Sequence, residues 1–125
     1  MSERADKAKR VLIVEDEAAA REASERYLGF VGHDVATAAD ANEAFARATA
    51  VNPEVAICDW RLGGGPDGTV VARELQQRYG TSIIFVTAHP LDELRDVTED
   101  IRVTRYLRKP VQFPQLIEAI DAAHA

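Results

Sequence analysis

Three unbroken apolar runs constrain this chain more than anything else in it: Val11-Leu12-Ile13-Val14, Val55-Ala56-Ile57-Cys58 and Ile83-Ile84-Phe85-Val86. Each has the length of a strand and is apolar at successive positions, so each reads as a strand covered on both faces. Two weaker segments join them. His33-Asp34-Val35-Ala36-Thr37 alternates, as a shorter or edge strand would, and a further strand is expected at about 103–107.

Between these runs the apolar spacing turns helical. Ala20, Ala23, Ser24, Tyr27, Leu28 and Val31 fall on one face of a helix that Gly32 ends. Asp40 can cap a second helix, with Ala41, Ala44, Phe45 and Ala48 inward, and Asn52-Pro53 breaks the chain after it. Asp67-Gly68 opens a third helix, with Val71, Ala72 and Leu75 inward, closed near Gly80. Pro90 suits the first turn of a short fourth helix reaching about Glu99, on the thin spacing of Leu91, Leu94 and Val97. The last helix, at 113–123, turns Phe113, Leu116, Ile117 and Ile120 inward.

Strands alternating with helices predict an α/β fold with a parallel sheet covered on both faces and right-handed crossovers. The pattern does not reveal strand order. Residues 1–9 read as a solvated tail and 10–125 as one domain, because a chain of 125 residues can bury a single sizeable core.

In a parallel sheet every strand ends at the same edge, where open α/β sheets bind ligands. The sequence brings Glu15, Asp16, Asp59, Thr87 and Lys109 to that edge. Each has a plain explanation by itself. Asp59 starts a turn into glycines and a proline, Glu15-Asp16 answers a helix dipole, Thr87 is a turn hydroxyl, and Lys109 is surface. Meeting at one edge, they ask for chemistry. Three carboxylates repel one another in a partly buried site, and a hard divalent cation such as Mg2+ resolves this. With Lys109 and one such cation, the three carboxylates balance to zero formal charge. A site so balanced can accept a phosphoryl group on a carboxylate nucleophile. Asp59, alone at the mouth, is the better nucleophile, and Glu15-Asp16 the better metal pair.

Composition removes other classes. A net charge of −6 argues against nucleic-acid binding by electrostatics. The single cysteine, Cys58, sits inside an apolar run, which excludes an internal disulfide or a cysteine zinc site. There is no P-loop, GxGxxG or catalytic His-nucleophile pair. The first apolar run is too short for a signal peptide or a membrane span, so a cytoplasmic protein without membrane insertion is expected.

In combination, Val14-Glu15-Asp16-Glu17, Cys58-Asp59 with Asp67-Gly68, Val86-Thr87-Ala88 and Tyr106-Leu107-Arg108-Lys109-Pro110 resemble the receiver domain of two-component response regulators. The likeness covers nearly the whole chain. It implies a flavodoxin-like, doubly wound (βα)5 fold with strand order 2-1-3-4-5. It implies Asp59 as phosphoacceptor, with Asp16, Asp59 and the Arg61 backbone carbonyl as Mg2+ ligands and Glu15 acting through water or just outside them. Thr87, the backbone of Ala88 and Lys109 would bind phosphoryl oxygens. Thr87 and Tyr106 would form the switch, Arg61 and His89 would tune dephosphorylation, and the Lys109-Pro110 bond would be cis. Two features depart from the common pattern. Gly63-Gly64-Gly65-Pro66 lengthens the loop after Asp59 by one residue, and 91–102 is poor in small residues.

The resemblance implies a signalling domain that catalyses only its own phosphorylation and dephosphorylation. A histidine kinase or phosphotransfer protein would donate to Asp59, and a partner or a second copy would bind the surface of helix 4, strand 5 and helix 5. The alternative is a receiver-like interaction domain that does not use phosphate; the presence of every site residue type favours the first. No output domain follows the last helix, which fits either a stand-alone receiver or a piece of a longer regulator.

Overall fold

The computed structural model describes residues 8–123. Five strands, β1 (Arg10–Val14), β2 (Asp34–Ala38), β3 (Val55–Asp59), β4 (Ser82–Thr87) and β5 (Val103–Arg108), alternate with five helices. The helices are α1 (Ala18–Val31), α2 (Ala41–Val51), α3 (Gly68–Tyr79), α4 (Leu91–Asp96) and α5 (Phe113–Ala122). The strands form one parallel sheet in the order β2-β1-β3-β4-β5, the flavodoxin-like order.

Alternation along the strands builds two cores. Leu12, Val14, Ala56, Cys58, Ile83 and Phe85 face α2, α3 and α4. Val11, Ile13, Val55, Ile57, Ile84 and Val86 face α1 and α5. The apolar runs are unbroken because both faces of the central strands must be apolar. Leu12, Ile83 and Ile84 are fully buried, and each such side chain contributes about 1.5–3 kcal/mol. β2 and β5 are the edges, and their half-buried side chains reflect it.

Caps fix the helix ends. Asp40 accepts from the backbone N–H of Glu43 at 2.9 Å, while Glu43 accepts from that of Ala39 at 2.8 Å. Asp67 accepts from the N–H groups of Thr69 and Val70 and from the Thr69 hydroxyl. The Lys109-Pro110 bond is cis, as the resemblance implied.

Three expectations are modified. The fourth helix stops at Asp96 rather than near Glu99. Thr98 turns its hydroxyl back onto the Leu94 carbonyl at 2.8 Å, and Ile101 N–H bonds the Thr98 carbonyl three residues back, so the chain tightens into turns. The segment after α4 is instead held by α3. Arg73 pairs with Asp100 and donates to the Val97 carbonyl, and Gln76 bonds the Arg102 backbone in both directions. On α1, only Leu28 of the expected inner face is fully buried, and Ala23 is exposed. The small side chains at its start leave Ala20 and Ser24 only half-buried. Of the expected tail, residues 1–7 lie outside the described residues. Lys9 is tied down: its N–H donates to His33 Nδ1 at 3.1 Å and its Nζ to the carbonyls of Ile120 and Ala123.

Candidate functional site

Parallel register carries the site residues to one edge. Val14 pairs with Cys58, Asp59 with Val86, and Thr87 with Arg108, so Glu15, Asp59, Thr87 and Lys109 emerge side by side. Carboxylate oxygens of Glu15, Asp16 and Asp59 lie within 4.8 Å of one another. Lys109 Nζ donates to Asp59 Oδ2 at 2.9 Å and to Glu15 Oε1 at 3.0 Å. Residues 94 positions apart in sequence thus share one ion-paired cluster.

Burial differs within the cluster. Glu15 and Asp59 are 6% and 7% exposed, whereas Asp16 is open to solvent. Asp59 sits at the rim of the core, as its place at a strand end implies, but it is not alone there: it shares Lys109 with Glu15. Glu15 is doubly held, since its Oε2 also accepts from the Glu17 N–H at 3.1 Å. Burial works to lower the Lys109 pKa. Hydrogen bonds to Asp59 and Glu15 outweigh it and hold the ammonium above its usual range. Burial, and then the Asp59 charge, push the neighbouring Cys58 thiol up to about 12, so it stays protonated and packed.

Of the remaining expected site residues, Thr87 meets the cluster through the Lys109 backbone, and the others make their contacts with neighbouring residues. Thr87 is fully buried, its hydroxyl accepts from the His89 N–H at 3.0 Å, and its carbonyl accepts from the Lys109 N–H at 2.8 Å. Ala88 is exposed, and its carbonyl accepts from Arg108 Nε at 3.0 Å. Arg61 lies with its guanidinium 4.1 Å over the Trp60 ring, and His89 meets the same ring edge-on at 5.6 Å. Tyr106 stacks on Phe85, and its hydroxyl bonds Thr98 Oγ1 at 2.7 Å, with Arg95 over the outer ring face.

Two contributors escape a reading of the sequence. Arg21, on the first turns of α1, donates from Nη1 to the carbonyls of Glu15 and Asp16 at 2.9 and 3.4 Å. It clamps the turn that carries the acidic pair. Its only signal is an arginine just downstream of that pair, which surface solvation explains equally well. Gly68 is the other. A Cβ there would lie 1.9 Å from the Asp59 carbonyl oxygen, so α3 can start this close to β3 only without a side chain. In the longer loop, Gly63 lies beside Asp16 with φ of 78°, a conformation that favours glycine.

The donor set fits a hard divalent cation: convergent carboxylate oxygens with no sulfur or imidazole among them. Among the described residues, no helix is long and apolar enough to cross a membrane.

Comparison with known proteins agrees with this geometry. The family model of the response regulator receiver domain matches residues 11–121. The positive alginate biosynthesis regulatory protein of Pseudomonas aeruginosa is 34% identical over 116 residues, which are 90% of this chain and 46% of that protein. The chain therefore spans about half the length of that relative. The crystal structure of the signal receiver domain of a modulated diguanylate cyclase from Desulfovibrio desulfuricans superposes with a TM-score of 0.85 at 31% identity, covering 93% of each chain. A CheY-like response regulator receiver domain protein from Methanospirillum hungatei gives 0.82 at 30% identity, covering 90% of each. With the strand order, the acidic edge and the match over 11–121 in agreement, the chain belongs to the response regulator receiver domain family.

Proposed function

We propose that this receiver domain accepts a phosphoryl group on Asp59 from a histidine kinase or phosphotransfer protein, with Mg2+, and thereby changes a partner-binding surface. The observation that carries the reading is Lys109 bonded at once to Glu15 and Asp59 within the acidic cluster. An Asp59 carboxylate oxygen attacks phosphorus, and the bond from phosphorus to the donor breaks with its electron pair leaving on the donor. Lys109 is poised to turn from the ground-state carboxylates to phosphoryl oxygens, and the Thr87 hydroxyl and the backbone at Ala88 would take others. Asp16, Asp59 and the Arg61 carbonyl would hold Mg2+, with Glu15 beside them, and the cation when bound supplies charge neutralisation at the phosphoryl oxygens. Incubation with a small acyl phosphate is expected to add one phosphoryl mass, dependent on Mg2+. Decay of that label is expected to change when Arg61 and His89, which flank Trp60, are both replaced by alanine. No mass gain, or gain without Mg2+, would oppose the reading.

Trp60 reports on the metal separately. It is the only tryptophan and adjoins Asp59. Mg2+ alone is expected to change its fluorescence, and Asp16→Ala is expected to weaken the apparent affinity severalfold or more. An unchanged titration in the variant would place the cation elsewhere.

The signal is proposed to leave through Thr87 and Tyr106. A Thr87 hydroxyl drawn to a phosphoryl oxygen gives up its bond from the His89 N–H. Movement of that loop alters the room available to Tyr106, whose ring and hydroxyl tie β5 to Phe85 and Thr98. The surface of α4, β5 and α5 changes with it, for a partner or a second copy to bind. A coupling of about 1–3 kcal/mol suffices to shift partner affinity roughly 5–150-fold. Thr87→Ala is expected to take the phosphoryl group or a mimic but to lose most of the phosphate-dependent change in self-association or partner binding. A full response in Thr87→Ala would reject this route.

A further inference from the structure

Ile13, Ile57 and Val86, each less than a tenth exposed, form the narrow floor of a cleft beside the site. From α1, Ala20, Ala23 and Ser24 are the residues that border it, and their side chains are short. Phe113 and Leu116 close the other side, and Phe113 stacks on Tyr27 at 4.2 Å, joining α5 to α1. The result is a cleft of about 590 Å³ whose rim carries Glu15, Glu17 and Lys109. That size falls within the range of about 300–1,000 Å³ typical of small-molecule sites, which are mostly apolar with a few polar groups.

We propose that this cleft binds a small organic cation, an apolar aryl or alkyl body bearing one amino group. The walls suit the body, and the rim's charge selects the head. Lys109 is the one cation among the lining residues, and it is already shared between Glu15 and Asp59. Glu17 is exposed and makes no side-chain cap bond to α1. Among the described residues no cation pairs with the Glu17 side chain, so an amine entering the cleft meets a carboxylate there. A carboxylate entering it meets repulsion and an occupied lysine.

The cleft also touches the strands of the phosphoryl site. Ile57 lies two residues before Asp59, Val86 adjoins Thr87, and Lys109 is part of the rim. An occupant would therefore bear on residues that position the site. Binding itself does not depend on the phosphoryl reading and is measured without phosphate.

The test uses two probes with similar apolar bodies, 4-phenylbutylamine and 4-phenylbutanoate, followed by methyl resonances of Ile13, Ile57 and Val86. The amine is expected to shift these methyls saturably, with an affinity about tenfold or more above that of the acid. Ala23→Phe fills the cleft from an exposed helix position and is expected to abolish the shifts. Glu17→Gln, which leaves the walls intact, is expected to bring the two probes toward equal affinity. Equal affinities in the wild type, no saturable shift at millimolar amine, or undiminished binding in Ala23→Phe would each overturn the proposal.

Discussion

Gly68→Ala is expected to lower the free energy of unfolding by about 3 kcal/mol, the upper end of the usual cost of overpacking. At an open helix position the same change would stabilise by roughly 0.5–1 kcal/mol, so the sign alone is decisive. The reason lies at the start of α3. An added Cβ would stand 1.9 Å from the Asp59 carbonyl oxygen, 2.9 Å from its carbon and 3.2 Å from Trp60 Cα. All three are backbone atoms, and the Gly68 N–H also donates to the Trp60 carbonyl at 2.7 Å. Relief requires α3 to move from β3, which draws on the strand end that carries Asp59. Urea unfolding measures the cost, and a variant as stable as the wild type would mean that α3 can shift freely.

Lys109→Met is expected to destabilise the metal-free protein by about 3 kcal/mol, in the range for removing one partner of a buried ion pair. The cost is at the low end of that range because the lysine side chain is 30% exposed, against 8% for Glu15 and 10% for Asp59. Methionine keeps the apolar stem and removes the charge, leaving two largely buried carboxylates facing each other. Mg2+ is therefore expected to raise the melting temperature of this variant by more than that of the wild type, since a cation held there substitutes for the lost charge. The pair also sets a pH window. The folded pKa of Lys109 lies above its ordinary 10.5, so its stabilisation is complete below that value and is lost as pH rises through the folded pKa. Equal melting temperatures for variant and wild type without Mg2+ would show that the pair contributes nothing net.

Much of this architecture is legible residue by residue, because the cues are local. Unbroken apolar runs mark strands that must be buried on both faces, and Asp40, Asp67, Gly32 and Gly80 sit at helix ends as capping chemistry requires. A parallel sheet then forces Glu15, Asp59, Thr87 and Lys109 to one edge without any knowledge of strand order. What escapes depends on distances between remote segments. The early end of α4 comes from a Thr98 hydroxyl competing for helix carbonyls, which apolar spacing does not record. The sharing of Lys109 and the Arg21 clamp need the packed edge itself. The cleft beside α1 follows from alanines and a serine whose helical spacing is correct but whose reach is short. Periodicity reports which way a side chain faces, and not whether it arrives.

The chemical assignment of Asp59 rests most directly on intact-mass measurement after incubation with a small acyl phosphate and Mg2+, comparing wild type with Asp59→Asn. The expected result is one added phosphoryl group on the wild type, lost when Mg2+ is chelated, and none on Asp59→Asn, whose amide keeps the shape but lacks the nucleophilic carboxylate. Equal labelling of wild type and Asp59→Asn would contradict the central claim.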